Sequence, residues 1–153
     1  MGANSVEEGT MNLGPLGLAE VSVVDADEAA AIEGAALQAG QDVRSVDLPE
    51  ALSSGQLLDQ LGSALLFPDY FGRNWDAVDE CLQDINWIQG RATVILVFHA
   101  DRLLSTDCLT AINFVRTLAR ASTTWRERHI SLRVVLVGSK RLFNTTDAIL
   151  RPL

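Results

Sequence analysis

The stretch FPDYFGRNWDAVDECLQDINW, Phe67 to Trp87, crowds aromatic residues and carboxylates around a helix start. Pro68 and Gly72 punctuate a loop, where Gly72 is expected to permit an unusual backbone angle, and Asn74 is a favourable N-cap. Trp75, Val78, Leu82 and Ile85 then recur at i, i+3, i+7 and i+10, the spacing of one buried helical stripe. At about 100° of rotation per residue, Asp76, Glu80 and Asp84 fall on the opposite side, with Asp79 beside them. Like charges at i, i+4 cost an isolated helix about 0.2–0.5 kcal/mol per pair, partly offset by the N-terminal dipole. Such a face is either simply solvated, or an acid/base pair, a metal site, or a surface that meets positive charge.

Working outward, EVSVV predicts a short strand and DADEAAAIEGAALQAG a helix with acids in its first turn and Gly40 as its stop. QDVRSVDLP predicts a second strand ended by Pro49, and SSGQLLDQLGSALL places Leu57, Leu58, Leu61 and Leu65 at helical spacing. ATVILVF and LRVVLVG are unbroken apolar runs, as expected of central strands covered on both faces. Between them, STDCLTAINFVRTLARA offers Ser and Thr N-caps and repeats Leu109, Ile112, Val115 and Leu118 every three residues. Alternating strands and helices predict an α/β fold, a small, mainly parallel sheet packed with helices. Residues 1–17, MGANSVEEGTMNLGPLG, read as a mobile tail and 18–153 as a single domain.

The chain has 153 residues, 48% of them hydrophobic, enough for one substantial core. Neither apolar run approaches the roughly 20 residues that span a bilayer, and no Lys or Arg precedes Arg44, so no membrane association and a cytoplasmic location are expected. Cys81 and Cys108 are too few for a disulfide framework and are expected to be reduced, Cys81 in the core. The net charge of -8 is unevenly distributed. Residues 1–90 carry 16 acids against Arg44 and Arg73, a net of -14, whereas residues 91–153 carry 10 basic residues against 4 acids, a net of +6. The first half suits a basic partner and repels nucleic acid.

Nothing in the chain reads as a catalyst. His99 and His129 sit in no nucleophile motif, and outward-facing carboxylates lack the pocket that would hold them in different environments. Zinc spacing, an EF-hand loop, a P-loop and a dinucleotide fingerprint are all missing, so no metal, cofactor or small-molecule substrate is implied.

FPDYFGRNWDAVDECL resembles the signature of the barstar family, small intracellular inhibitors of ribonucleases such as barnase. The resemblance runs without gaps from about Val46 to Leu82 and continues by order of elements to the LRVVLVGS strand. About the first 40 residues, an N-terminal strand–helix extension, and those after Ser139 stand outside it. In that family the loop and the exposed helix face enter a ribonuclease active site, with carboxylates where RNA phosphates would lie. The resemblance implies a barstar-like fold, and an immunity-type inhibitor of a basic extracellular-type or toxin ribonuclease. By position, Tyr70 matches the family's loop tyrosine, Asp76 its first helix aspartate, and Glu80 the place of a second. Asp79 stands where an aromatic contact is found, and Asp84 extends the face. Gly72, Asn74 and Trp75 would support the site structurally, whereas Asp59, on the preceding helix, is expected to lie outside it.

Two other readings stand beside this one. Arg116, Arg120, Arg126, Arg128, Arg133, Lys140 and Arg141 supply charge for phosphate contacts, or form a solvated face, or pair internally with the acidic half; without interleaved aromatics beyond Trp125 nucleic-acid binding has little support. A barstar-like scaffold without ribonuclease binding is the other.

Overall fold

The structure, a computed structural model, describes residues 21–50 and 53–151, the side chain of Ile85 apart. The expected tail at 1–17 lies outside the described residues. Four parallel strands, β1 (Val21–Val24), β2 (Asp42–Asp47), β3 (Thr93–Phe98) and β4 (Leu132–Val137), form one sheet in the order β1-β4-β3-β2. The helices are α1 (Ala26–Gln38), α2 (Ser54–Ala64), α3 (Trp75–Leu82), the single turn α4 (Ile85–Ile88), α5 (Cys108–Glu127) and α6 (Lys140–Leu150), with a 3-10 segment at Ala100–Ser105.

Topology decides which face each helix covers. The steps from β2 to β3 to β4 all run the same way across the sheet, so right-handed crossovers put α2 to α5 on one face. The connection from β1 to β2 runs the full width in the opposite direction, which sends α1 to the other face, where it meets β2, β3 and β4. Side chains sort by the twofold period of a strand. Ile95 and Val97 of β3, with Val134 and Leu136 of β4, join the large core under α2, α3 and α5. Val94, Leu96 and Val135 point the other way and close a second core with Val24 and the small Ala29 and Ala36 of α1. The central apolar runs are thus covered on both faces, as expected, and the N-terminal strand–helix unit supplies the second cover.

Local signals explain most helix ends. Asp25 caps α1 by accepting from Glu28 N at 2.8 Å, and Gly40, at φ +76°, lies just beyond its last turn. Ser53 and Gln56 form a reciprocal capping box at α2, whose Leu57, Leu58 and Leu61, with Leu65 after them, are buried. Each such leucine contributes about 1.5–3 kcal/mol.

Helix α5 departs from expectation in two ways. Its cap is Asp107, not Ser105 or Thr106: one carboxylate oxygen accepts from Thr110 N and the other from its hydroxyl, both at 2.8 Å. These bonds hold the Asp107 carboxyl below the usual carboxylate range. Its stabilising effect is therefore present above the unfolded-state pKa and fades as pH falls through the folded value. The expected stripe also fails at its start, because Leu109 is 67% exposed while Val115 and Leu118 are buried. A three-residue repeat loses about 60° per step on an α-helix, so Leu109 and Leu118 end up on opposite sides. The real stripe runs through Phe114, Val115, Leu118, Ala121 and Trp125.

Removing residues 1–40 would expose Val94, Leu96 and Val135 and open the β4 edge. The truncated chain is expected to bind a hydrophobic dye, lose thermal stability and self-associate; an unchanged, monomeric melting transition would contradict this role for the extension.

Candidate functional site

The segment Leu65 to Leu82 is held at both ends through carbonyls that helices leave unpaired. At the end of α2, Leu65 O accepts from Trp87 Nε1 at 2.6 Å and from Arg44 Nη1 at 3.0 Å. Arg44 also bonds Asp42 at 2.8 Å and lies 5.7 Å from the Trp87 ring centre. Trp87 is accordingly a buried wedge at the sheet edge. At the end of α3, Leu82 O accepts from Trp125 Nε1 of α5 at 2.7 Å, both groups buried.

Between these anchors the loop is shaped by close packing. Phe71 meets Phe67 edge to face at 5.1 Å, and Gly62 of α2 leaves room for it, since a Cβ there would lie 2.9 Å from the Phe71 ring. Phe71 thus closes the loop over the core. The unusual backbone angle does not fall at Gly72: Arg73 takes the left-handed conformation at φ 54°, and a Cβ on Gly72 would make ordinary contacts. Arg73 is steadied there by Asp59, Nε to Oδ1 at 2.6 Å. Asp59, expected to stand outside the site, therefore braces its loop. Asn74 caps α3 as expected, accepting from Ala77 N at 2.8 Å.

The expected binding residues fall into three groups. Tyr70 is 75% exposed, and Asp76 and Glu80 stand exposed one turn apart on α3, with no ion pair to either among the described residues. All three line one depression of about 320 Å³ with Phe71, Asn74 and Cys81. Asp79 is different, since its carboxylate is already engaged by Gln83 Nε2 at 2.9 Å and Arg120 Nη1 at 3.3 Å. Asp84 is not on the helix: α3 ends at Leu82, and Asp84 instead accepts from Asn86 N at 2.8 Å at the start of α4. Residues at i and i+8 share a face only while the helix continues, and this one stops two residues short of Asp84. Of the stripe beneath, Val78 and Leu82 are buried and Trp75 half-buried; the Ile85 side chain lies outside the described residues. The Cys81 thiol is pushed up by burial first, then by Asp84 and Glu80, which makes it a poor nucleophile.

Asp76 also lines a second depression, of about 360 Å³, with Trp75, Asp79, Asn113, Arg116, Thr117 and Arg120. Of the two uses the sequence leaves open for these arginines, phosphate contacts or pairing with the acidic half, Arg120 takes the second, meeting Asp79 at 3.3 Å because α5 packs against α3. The remaining basic residues do not form one stripe. Arg128 stacks on Trp125 at 5.0 Å, Arg133 lies toward α1 on the other face, and Lys140 and Arg141 open α6. Among the described residues, no cluster of three or more His, Cys, Asp or Glu could hold a metal, and no helix is long and apolar enough to cross a membrane.

The sequence matches the model of the family described as Barstar (barnase inhibitor) over residues 41–137, well over half its length. The chain belongs to the barstar family. That family is one of ribonuclease inhibitors, not of catalysts, and the four-stranded parallel sheet with packed helices seen in this chain is consistent with a barstar-like α/β fold. The matched span starts just before β2 and ends with β4, so β1, α1 and α6 lie outside it. No curated protein matches the chain.

If the Trp125 contact fixes α3, Trp125→Phe should leave Leu82 O unpaired in the core and destabilise the fold by about 1–3 kcal/mol, read by denaturant titration. An unchanged midpoint would show that the hydrogen bond is dispensable.

Proposed function

We propose that this barstar-family chain blocks the RNA cleft of a basic ribonuclease with the surface made by Tyr70, Asp76 and Glu80, Asp79 and Asp84 lying at its margin. The observation that carries the proposal is the pair Asp76 and Glu80: two exposed carboxylates, unpaired among the described residues, one turn apart beside an exposed tyrosine on a braced loop. Carboxylates in that arrangement can stand in for successive RNA phosphates and accept paired hydrogen bonds from arginine. Because the loop and helix are fixed before binding, little ordering cost accompanies association. Glu80 reaches one methylene further than an aspartate would, which suits a partner arginine set deeper or displaced along the helix. Acting on a ribonuclease of its own cell, such an inhibitor serves as an immunity protein within the cytoplasm.

The expected ranking follows from what each carboxylate already holds. Asp76→Ala and Glu80→Ala should each weaken binding of a barnase-type ribonuclease by about 2 kcal/mol or more, a magnitude carried over from the barnase–barstar pair itself, the standard case of such interfacial charges. Asp79→Ala should cost less, because Arg120 and Gln83 already share its charge. Asp27→Ala, on α1 across the sheet, should leave the affinity unchanged. Equal losses at Asp76 and Asp27, read by calorimetric titration, would remove the residue assignment.

A further inference from the structure

The second depression gives the candidate surface a different character from an all-acidic plug. Asp76 is the shared wall: on one side lie Tyr70 and Glu80, on the other Asp79, Arg116 and Arg120. Arg116 is exposed and has no ion pair among the described residues. Arg120 reaches Asp79 with one nitrogen at 3.3 Å and remains 69% exposed, so most of its five donors are still open. The two guanidinium groups stand four residues apart on α5, where like charges are mildly repulsive.

A uniformly basic partner would add to that repulsion, whereas a carboxylate would relieve it and could accept a two-pronged bond from either arginine. RNA fits poorly, since its phosphates would approach Asp76 and Asp79 at the same time, and Trp75 is half-buried and not an open stacking platform. Building on the ribonuclease reading above, we infer that the groove between α3 and α5 is the second half of the partner surface, and that Arg116 and Arg120 take a carboxylate on the rim of the partner's basic cleft. The two lobes then read a pattern, positive beside negative, and the arginines select against ribonucleases whose rim is basic throughout.

The test uses the full chain with a barnase-type ribonuclease as probe, alongside variants of that enzyme in which single rim Lys or Arg residues are changed to Glu. Binding is measured calorimetrically, so that loss of ribonuclease activity does not matter. At least one reversal is expected to bind the wild-type chain tenfold or more tightly than the unmodified enzyme does, and that gain should vanish with Arg116→Ala/Arg120→Ala. Both substitutions are at exposed positions, and an unchanged melting temperature confirms the fold of the double variant. The inference is overturned if no reversal improves binding, if the gain persists in the double variant, or if the arginines prove instead to hold an RNA oligonucleotide. Loss of binding in Asp76→Ala with no gain from any reversal would remove this inference and leave the ribonuclease reading intact. No binding of any form of the enzyme would remove both.

Discussion

Two indole N–H groups, of Trp87 and Trp125, each satisfy one carbonyl at the C-terminal ends of α2 and α3, Leu65 O and Leu82 O, and the candidate surface hangs between those two bonds. An unpaired carbonyl buried against the sheet would cost about as much as a lost hydrogen bond, so the helix ends settle only where a donor waits. One donor comes from the turn just before β3 and the other from the last turns of α5, elements far apart in sequence. The loop, the α3 cap and the exposed carboxylates are thereby tied to the sheet. Arg44 reinforces the first junction from β2, and the Asp59–Arg73 pair braces the loop from outside.

The same sheet explains the presence of β1 and α1, which lie outside the family match. A three-stranded sheet with all helices on one face would leave Val94, Leu96 and Val135 uncovered. The strand order β1-β4-β3-β2 resolves this, because the long return from β1 to β2 obliges α1 to cross the bare face. Small Ala29 and Ala36 let that helix approach closely. Burial thus accounts for β1 and α1, with the candidate surface on the far side of the sheet from α1.

Much of this was legible in the sequence, because the signals involved are local. Leucines at helical spacing placed α2, two unbroken apolar runs placed β3 and β4, and Asn74 marked the start of α3. The misreadings share a cause as well. Asp84 was placed by extrapolating a helix that stops after two turns, and Leu109 by a three-residue repeat that a 3.6-residue helix does not honour. Glycine preference pointed to Gly72 for the left-handed angle that Arg73 adopts, because that preference is statistical and does not fix which residue of a loop takes the angle. Sequence could not show that Arg120 faces Asp79, because that pairing depends on how α5 docks on α3, a long-range fact with no local signature.

The charge division of the chain now has a spatial meaning at the candidate site. Acids from the first half and arginines from the second meet along α3 and α5, where Asp76 and Glu80 have no ion pair among the described residues. Opposite charge that is unpaired before binding speeds encounter and is screened by salt. The most direct test of the central claim is therefore inhibition of a barnase-type ribonuclease, titrated with the purified chain at low and at moderate salt. One-to-one inhibition whose association rate falls steeply with salt is the predicted result; no inhibition, or inhibition indifferent to salt, would contradict a carboxylate plug.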